Sequence, residues 1–223
     1  IRPKRTVRTG ERPLHALRER GVEYVEVRLM DLDPFVPVGI TAPTMRLLDV
    51  FLLHCLLSDS PPDTPAEIAE LQRNQHLTAE QGREPGLQLQ RNGQNVALTT
   101  WGDEVLAACE PLAATLDAAH GTTDYSTALR DARALMQAPE RTPSARVLDT
   151  MAQQHASSFE GFAFHQSEKA RDALLALPWT ADQQVRYLAM SDESIAAQKA
   201  IEAADTLPFE TWREQYMAVE GLG

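Results

Sequence analysis

The chain has 223 residues, with 21 Lys and Arg against 32 Asp and Glu, a formal charge of −11 and 43% hydrophobic residues. These proportions are ordinary for a soluble globular protein and exclude collagen-like, disordered and disulfide-scaffold classes. A chain of this length can bury roughly 70% of the surface that its unfolded form exposes. The longest apolar run, residues 50–57, is interrupted by His54 and falls far short of the ~20 residues a membrane-spanning helix needs.

The charge is unevenly placed. Residues 1–12 hold Arg2, Lys4, Arg5, Arg8 and Arg12 against Glu11 alone, a local +4 that leaves −15 on the remainder. An acidic body repels nucleic acid and anionic membrane, so neither is an expected partner. The basic arm suits either contact with a phosphate or simple solvation. The first residue is Ile1 rather than Met, and the chain is expected to be a piece of a longer protein.

Pro13 at the start and Gly21 at the stop predict a helix over 13–20. VEYVEVRL (22–29) alternates and is rich in Val and Tyr, which predicts a strand. Pro34, Pro37, Gly39 and Pro43 make 31–44 an extended loop. TMRLLDVFLLHCLL (44–57) is apolar nearly all round, as expected of a buried helix. Thr64-Pro65-Ala66-Glu67 has the capping-box spacing with Pro at the first helical position, and the helix it opens should end at Gly82. Asn92-Gly93 between the short runs 87–90 and 95–98 predicts a hairpin, because a type I′ turn needs positive φ at both central residues. Further helices are predicted over 101–119, 123–137, 142–154, 159–177, 182–204 and 209–219. On the last of these, Phe209, Trp212 and Tyr216 share one face, expected to dock onto the core.

One strand and one small hairpin among so many helices make this an α+β chain that is mostly helical. A lone strand cannot bury itself, and its partners are expected from elsewhere, more naturally upstream of Ile1 than from the hairpin. Cys55 and Cys109 have no CxxC or Cys/His clustering and read as reduced thiols of a cytosolic protein. The six histidines are scattered, and no GxGxxG, P-loop, GxSxG or HExxH motif occurs.

The strand is the most informative segment. Tyr24, Glu26 and Arg28 share one face, and Val25, Val27 and Leu29 share the other, which should pack on the core. A carboxylate on a rigid strand suits magnesium, and a guanidinium beside it can bind phosphate oxygens bidentately. Together they would form half of a metal–nucleotide site. The same E-x-R spacing also makes an ordinary ion pair on a solvated sheet face, and the residues alone leave both readings open. Asp31 and Asp33 at the strand exit could ligate a metal or simply form a turn before Pro34.

Five segments, taken in order, carry a resemblance: IRPKR (1–5), GVEYVEVRLMDLDPFVPVGI (21–40), GREPGL (82–87), SARVLDTM (144–151) and EAADTLPFETW (202–212). Across essentially its whole length the chain resembles the C-terminal part of the proteobacterial-type glutamate–cysteine ligases, also called γ-glutamylcysteine synthetases. The resemblance implies a glutamine-synthetase-like carboxylate–amine ligase fold, with ATP and Mg2+ as cofactors and L-glutamate and L-cysteine as substrates. It also implies reaction through an acyl phosphate, in the first step of glutathione synthesis. It makes Glu26 a metal ligand and Arg28 a catalytic contact to nucleotide phosphate, with Arg2, Lys4 and Arg83 as further nucleotide-side contacts. Residues 1–42 would be the active-site strand and loop of the catalytic domain. Residues 43–223 would form a helical region with the hairpin near 87–98. The family's other metal-binding glutamates lie in an N-terminal half, which becomes the expected partner of this chain in a cytoplasmic enzyme; the chain alone is not expected to ligate. The alternative is a stand-alone, non-catalytic helical interaction module derived from the ligase.

Overall fold

A computed structural model describes residues 2–8, 10–28 and 30–218. In chain order the elements are β1 (Arg2–Lys4), α1 (Pro13–Arg20), β2 (Tyr24–Glu26), α2 (Ala42–Leu57), α3 (Pro65–Gln81), β3 (Gln88–Arg91) and β4 (Gln94–Ala97). They continue with α4 (Leu98–His120), α5 (Asp124–Gln137), a 3-10 turn (Pro139–Arg141), α6 (Pro143–Gln154), α7 (Phe159–Leu175), α8 (Ala181–Ala204) and α9 (Phe209–Met217). The chain divides into two compact units, Ile1–Asp31 with Ala176–Gly223, and Leu32–Leu175.

The second unit holds a core where α2, α4 and α5 meet, built on Val50, Leu106, Cys109, Ala113 and Leu129. Burial pushes the Cys109 thiol up from its ordinary pKa, as expected of an inert structural cysteine. Gly121 in the left-handed region ends α4. Four residues earlier, the Asp117 carboxylate accepts from the N–H groups of Tyr125 and Ser126 at 2.9 and 3.0 Å. The last turn of α4 thus caps α5, whose own Thr123 makes no side-chain cap. Burial alone would raise the Asp117 pKa, but these bonds outweigh it and hold the carboxyl below its usual range. Helix α2 differs from expectation: Val50 is its one fully buried side chain among the described residues, while Leu56 and Leu57 are exposed.

The hairpin forms as its turn chemistry demands, with Asn92 and Gly93 at φ of 54° and 75°. Helix α3 grips it through side chains. Asn74 donates to the Gln90 carbonyl at 2.6 Å and accepts its N–H at 2.9 Å, while Glu70 accepts the Gly93 N–H. Asn74 is buried, so Asn74→Ala leaves both Gln90 backbone groups without that partner. The expected cost is about 1–3 kcal/mol, read as a lower urea midpoint at unchanged m.

The loop predicted over 31–44 closes on itself. Asp33 accepts from Phe35 N–H at 2.9 Å, and its own N–H reaches the Gly39 carbonyl. Of its two offered roles, Asp33 takes that of turn former. Phe35 packs edge-on against buried Phe162 of α7 and lies under the Arg146 guanidinium of α6, 4.1 Å from its ring centre.

The first unit departs most from expectation. The strand covers Tyr24–Glu26 rather than 22–29, and Leu29 lies outside the described residues. Its partner is neither the hairpin nor an upstream segment but β1, antiparallel to it. With two strands only, each keeps one edge without a strand neighbour among the described residues. The aliphatic face is not packed: Val25 and Val27 are 45% and 36% exposed. The α9 stripe is not buried on the core either. Phe209 and Trp212, 66% and 45% exposed, meet at a tilt, and Trp212 stacks on Tyr216, whose ring lies under the Arg12 guanidinium. Residue 219, predicted to end that helix, lies outside the described residues. Among the described residues no helix is long and apolar enough to cross a membrane.

Candidate functional site

The β1–β2 register sets Arg2 opposite Glu26 and Lys4 opposite Tyr24. Because side chains alternate along a strand, Arg2, Lys4, Tyr24 and Glu26 stand on one face of this small sheet. Pro3 between the two cations cannot donate to a ladder, which suits a sheet edge.

A brace around α1 fixes how β1 returns to β2. Arg20, the last residue of α1, grips Glu11 with two bonds, at 2.6 and 2.8 Å. Glu11 also accepts the Arg8 N–H, and Arg20 reaches the Thr6 carbonyl. Glu23, just ahead of β2, accepts the Thr6 N–H at 3.0 Å and pairs with Arg5. Gly21 turns the chain between α1 and β2 at φ 71°.

The Arg20 hydrogen bonds, aided by the Arg8 N–H, lower the Glu11 pKa from 4.5 to about 2. The Thr6 N–H lowers that of Glu23. A depressed carboxyl stabilises the fold fully above its unfolded pKa and loses that contribution as pH falls through its folded one. The brace is therefore expected to hold above pH 4.5 and to fail as pH drops towards 2. Carboxyl NMR titration of Glu11 checks this, since a midpoint at the ordinary value would contradict it.

The site itself is Glu26 with its cations. Arg28 Nε and one terminal nitrogen lie 2.8 and 2.6 Å from Glu26 Oε2, and Lys4 Nζ lies 3.6 Å from the same oxygen. Each of these contacts falls on Oε2. The Arg28 hydrogen bonds, partly opposed by burial and aided by the Arg28 and Lys4 charges, hold the Glu26 carboxyl below its usual range. Glu26 is thus an ionised acceptor at neutral pH, held by two cations. Arg28 lies beyond the last strand residue yet still reaches Glu26, as the alternation of the sequence predicts.

Of the five residues singled out from the sequence, Arg2, Lys4 and Glu26 therefore gather on one small sheet, and Arg28 reaches Glu26 from just beyond its end. Arg83 belongs to the other unit, on the turn after α3, where it lines a cavity of about 450 Å³ with Leu87, Leu98, Met136 and Pro139. Two features escaped sequence reasoning: the Glu11–Arg20 brace and the Lys4–Glu26 pair. Opposite charges bracketing α1 are visible in the sequence, but their meeting depends on the helix and turn geometry. Among the described residues no three His, Cys, Asp or Glu side chains converge on a possible metal position.

An ionised carboxylate beside a guanidinium and an ammonium has the chemistry of one wall of a cation-and-phosphate site. The family model described as glutamate–cysteine ligase matches residues 1–78, the stretch that contains this sheet. The glutamate–cysteine ligase of Azotobacter vinelandii is 42% identical over 224 residues, covering 100% of this chain and 42% of that protein. That of Pseudomonas entomophila is 42% identical over 218 residues, covering 98% and 41%. A crystal structure of glutamate–cysteine ligase from Francisella tularensis in complex with AMP, 28% identical, matches with a TM-score of 0.88 over 100% of this chain and 44% of its own. Over essentially its whole length the chain is similar to glutamate–cysteine ligases, and it spans about two fifths of the length of the curated relatives it matches.

Proposed function

We propose that the chain is the C-terminal portion of a cytoplasmic, ATP-dependent ligase that joins the side-chain carboxylate of L-glutamate to the amine of L-cysteine. The products are γ-glutamylcysteine, ADP and phosphate. One observation carries this reading: within the segment matched by the family model, an ionised Glu26 stands between Arg28 and Lys4.

In this reading Glu26 would hold magnesium, which when bound neutralises phosphate oxygens. Arg28 stands beside the same carboxylate. Phosphate oxygens compete with Glu26 for its guanidinium, so nucleotide draws Arg28 away and uncovers Oε2. In the first step a glutamate side-chain oxygen bonds to the γ-phosphorus as the bond to ADP breaks. In the second the cysteine amine attacks the acyl carbon, loses its proton, and phosphate departs. Arg28 stabilises the charge on the transferring group, the role that makes it catalytic. Lys4 and Arg2 on the same face add positive potential for the nucleotide, and Arg83 is a further nucleotide-side contact. The AMP held by the Francisella structure supports a nucleotide subsite.

Residues 1–42 are the site-bearing segment in this reading and residues 43–223 the helical region. The open edges of β1 and β2 suit a place within the larger antiparallel sheet of a glutamine-synthetase-like fold. The further carboxylates that a magnesium site needs come from the N-terminal half. The test is ligation by the complete protein. It should form γ-glutamylcysteine from glutamate and cysteine with one ADP released per product, and failure to do so overturns the reading.

A further inference from the structure

We propose that Arg20 is a positioning residue of the ligase site, acting through Lys4: it keeps β1 in the one register that sets Lys4 beside Glu26. The inference rests on the ligase reading and adds to it a residue that works through another rather than on the reactants.

The ladder cannot fix this register by itself. Strands β1 and β2 share three residue pairs, and the middle residue of β1 is Pro3, which has no N–H to give. Two strands alone are marginal in water. Residues 5–23 intervene between them, so no tight turn dictates the pairing. A slip of one residue would turn Lys4 to the opposite face, away from Glu26. The Lys4–Glu26 pair cannot prevent that slip. At 3.6 Å, with both side chains 31% exposed, it is a surface contact of small worth.

The register is held from the connection instead. The Lys4 carbonyl accepts the Glu23 N–H at 2.9 Å. Two residues further on, Thr6 is gripped by both backbone groups. Its N–H donates to the Glu23 carboxylate and its carbonyl accepts from Arg20, each at 3.0 Å. The same guanidinium makes its two bonds to Glu11, which in turn accepts the Arg8 N–H at 2.8 Å. Arg20 thus ties the exit of β1 to the approach of α1. Its side chain is 20% exposed and that of Glu11 14%, so this pair is less screened than Lys4–Glu26. The order of cause therefore runs from Arg20 through Thr6 to Lys4.

This order sets the signature. Glu26 and Arg28 lie on the β2 side and hold each other whatever β1 does. Loss of Arg20 should displace the Lys4 ammonium and leave Arg28 in place, weakening nucleotide binding more than turnover.

The test uses the complete ligase. Arg20→Ala should raise KM for ATP, and the dissociation constant of a non-hydrolysable ATP analogue with magnesium, by about 10-fold. That is the low end for groups that orient a site through its ligands. Turnover should change less than 3-fold. Lys4→Met should weaken the analogue to the same degree, and Arg20→Ala combined with Lys4→Met no further than Lys4→Met alone. Glu23→Ala, which frees the other group of Thr6, should behave as Arg20→Ala does, and carries the test if Arg20→Ala fails to fold by circular dichroism. An analogue affinity unchanged in both brace variants overturns the proposal. So does a double variant whose loss equals the product of the two single losses, which would make Arg20 a support of the fold with no path through Lys4. A wild-type protein that does not ligate refutes the ligase reading, whereas one that ligates and is indifferent to both brace substitutions refutes the positioning role alone.

Discussion

Glu26→Gln in the complete ligase is expected to lower kcat by about 100-fold or more and to raise the magnesium concentration that gives half-maximal rate. The substitution keeps the shape of the side chain and an oxygen for Arg28, and removes only the charge. Glu26 is partly exposed and its partners are on the surface, so the fold should be unaffected. The size of the effect follows from the role. Groups that merely orient metal ligands are worth about 10–100-fold, and a ligand itself should exceed them. The rate of γ-glutamylcysteine formation across a magnesium series measures it. An unchanged rate with unchanged magnesium dependence would remove Glu26 from the site.

Arg28→Ala is expected to lower kcat/KM for ATP by about 10²–10³-fold, the loss typical of removing one preorganised donor from a developing charge. Arg28→Lys should recover little of it. Lysine keeps the charge but cannot present the planar pair of N–H groups that phosphate oxygens accept. A second readout separates this role from simple support. Arg28 hydrogen bonding is the largest cause of the depressed Glu26 pKa, so Arg28→Ala should move the Glu26 titration back towards the ordinary carboxylate value. A purely structural arginine would shift stability without moving the ATP dependence. Equal kcat/KM in wild type and both variants would show that Arg28 does not meet the nucleotide.

Much of the local structure was legible because it is written in local chemistry. Pro13 and Gly21 bound α1 as expected, Thr64 caps α3, and the positive φ values at Asn92 and Gly93 deliver the hairpin. The Glu26–Arg28 pair follows from strand alternation alone. What was not legible depends on distant partners. Lys4 reaches Glu26 because α1 and its Glu11–Arg20 brace bring β1 back in one register, which no periodicity encodes. Asp117 caps a helix other than its own. The failed expectations share one cause. Val25, Val27, Phe209 and Trp212 carry apolar patterns that predict burial, yet they stand exposed because a pattern states the need for a partner without showing which segment supplies it.

The central claim is that this chain contributes one wall of the ligase site, Glu26 with Arg28, and depends on the rest of the protein for the other. The most direct measurement is ligation by the 223-residue chain alone, supplied with glutamate, cysteine, ATP and magnesium, against the same chain mixed with the N-terminal part as a separate polypeptide. The account predicts no γ-glutamylcysteine from the chain alone and its appearance in the mixture. Ligation by the isolated chain would contradict it.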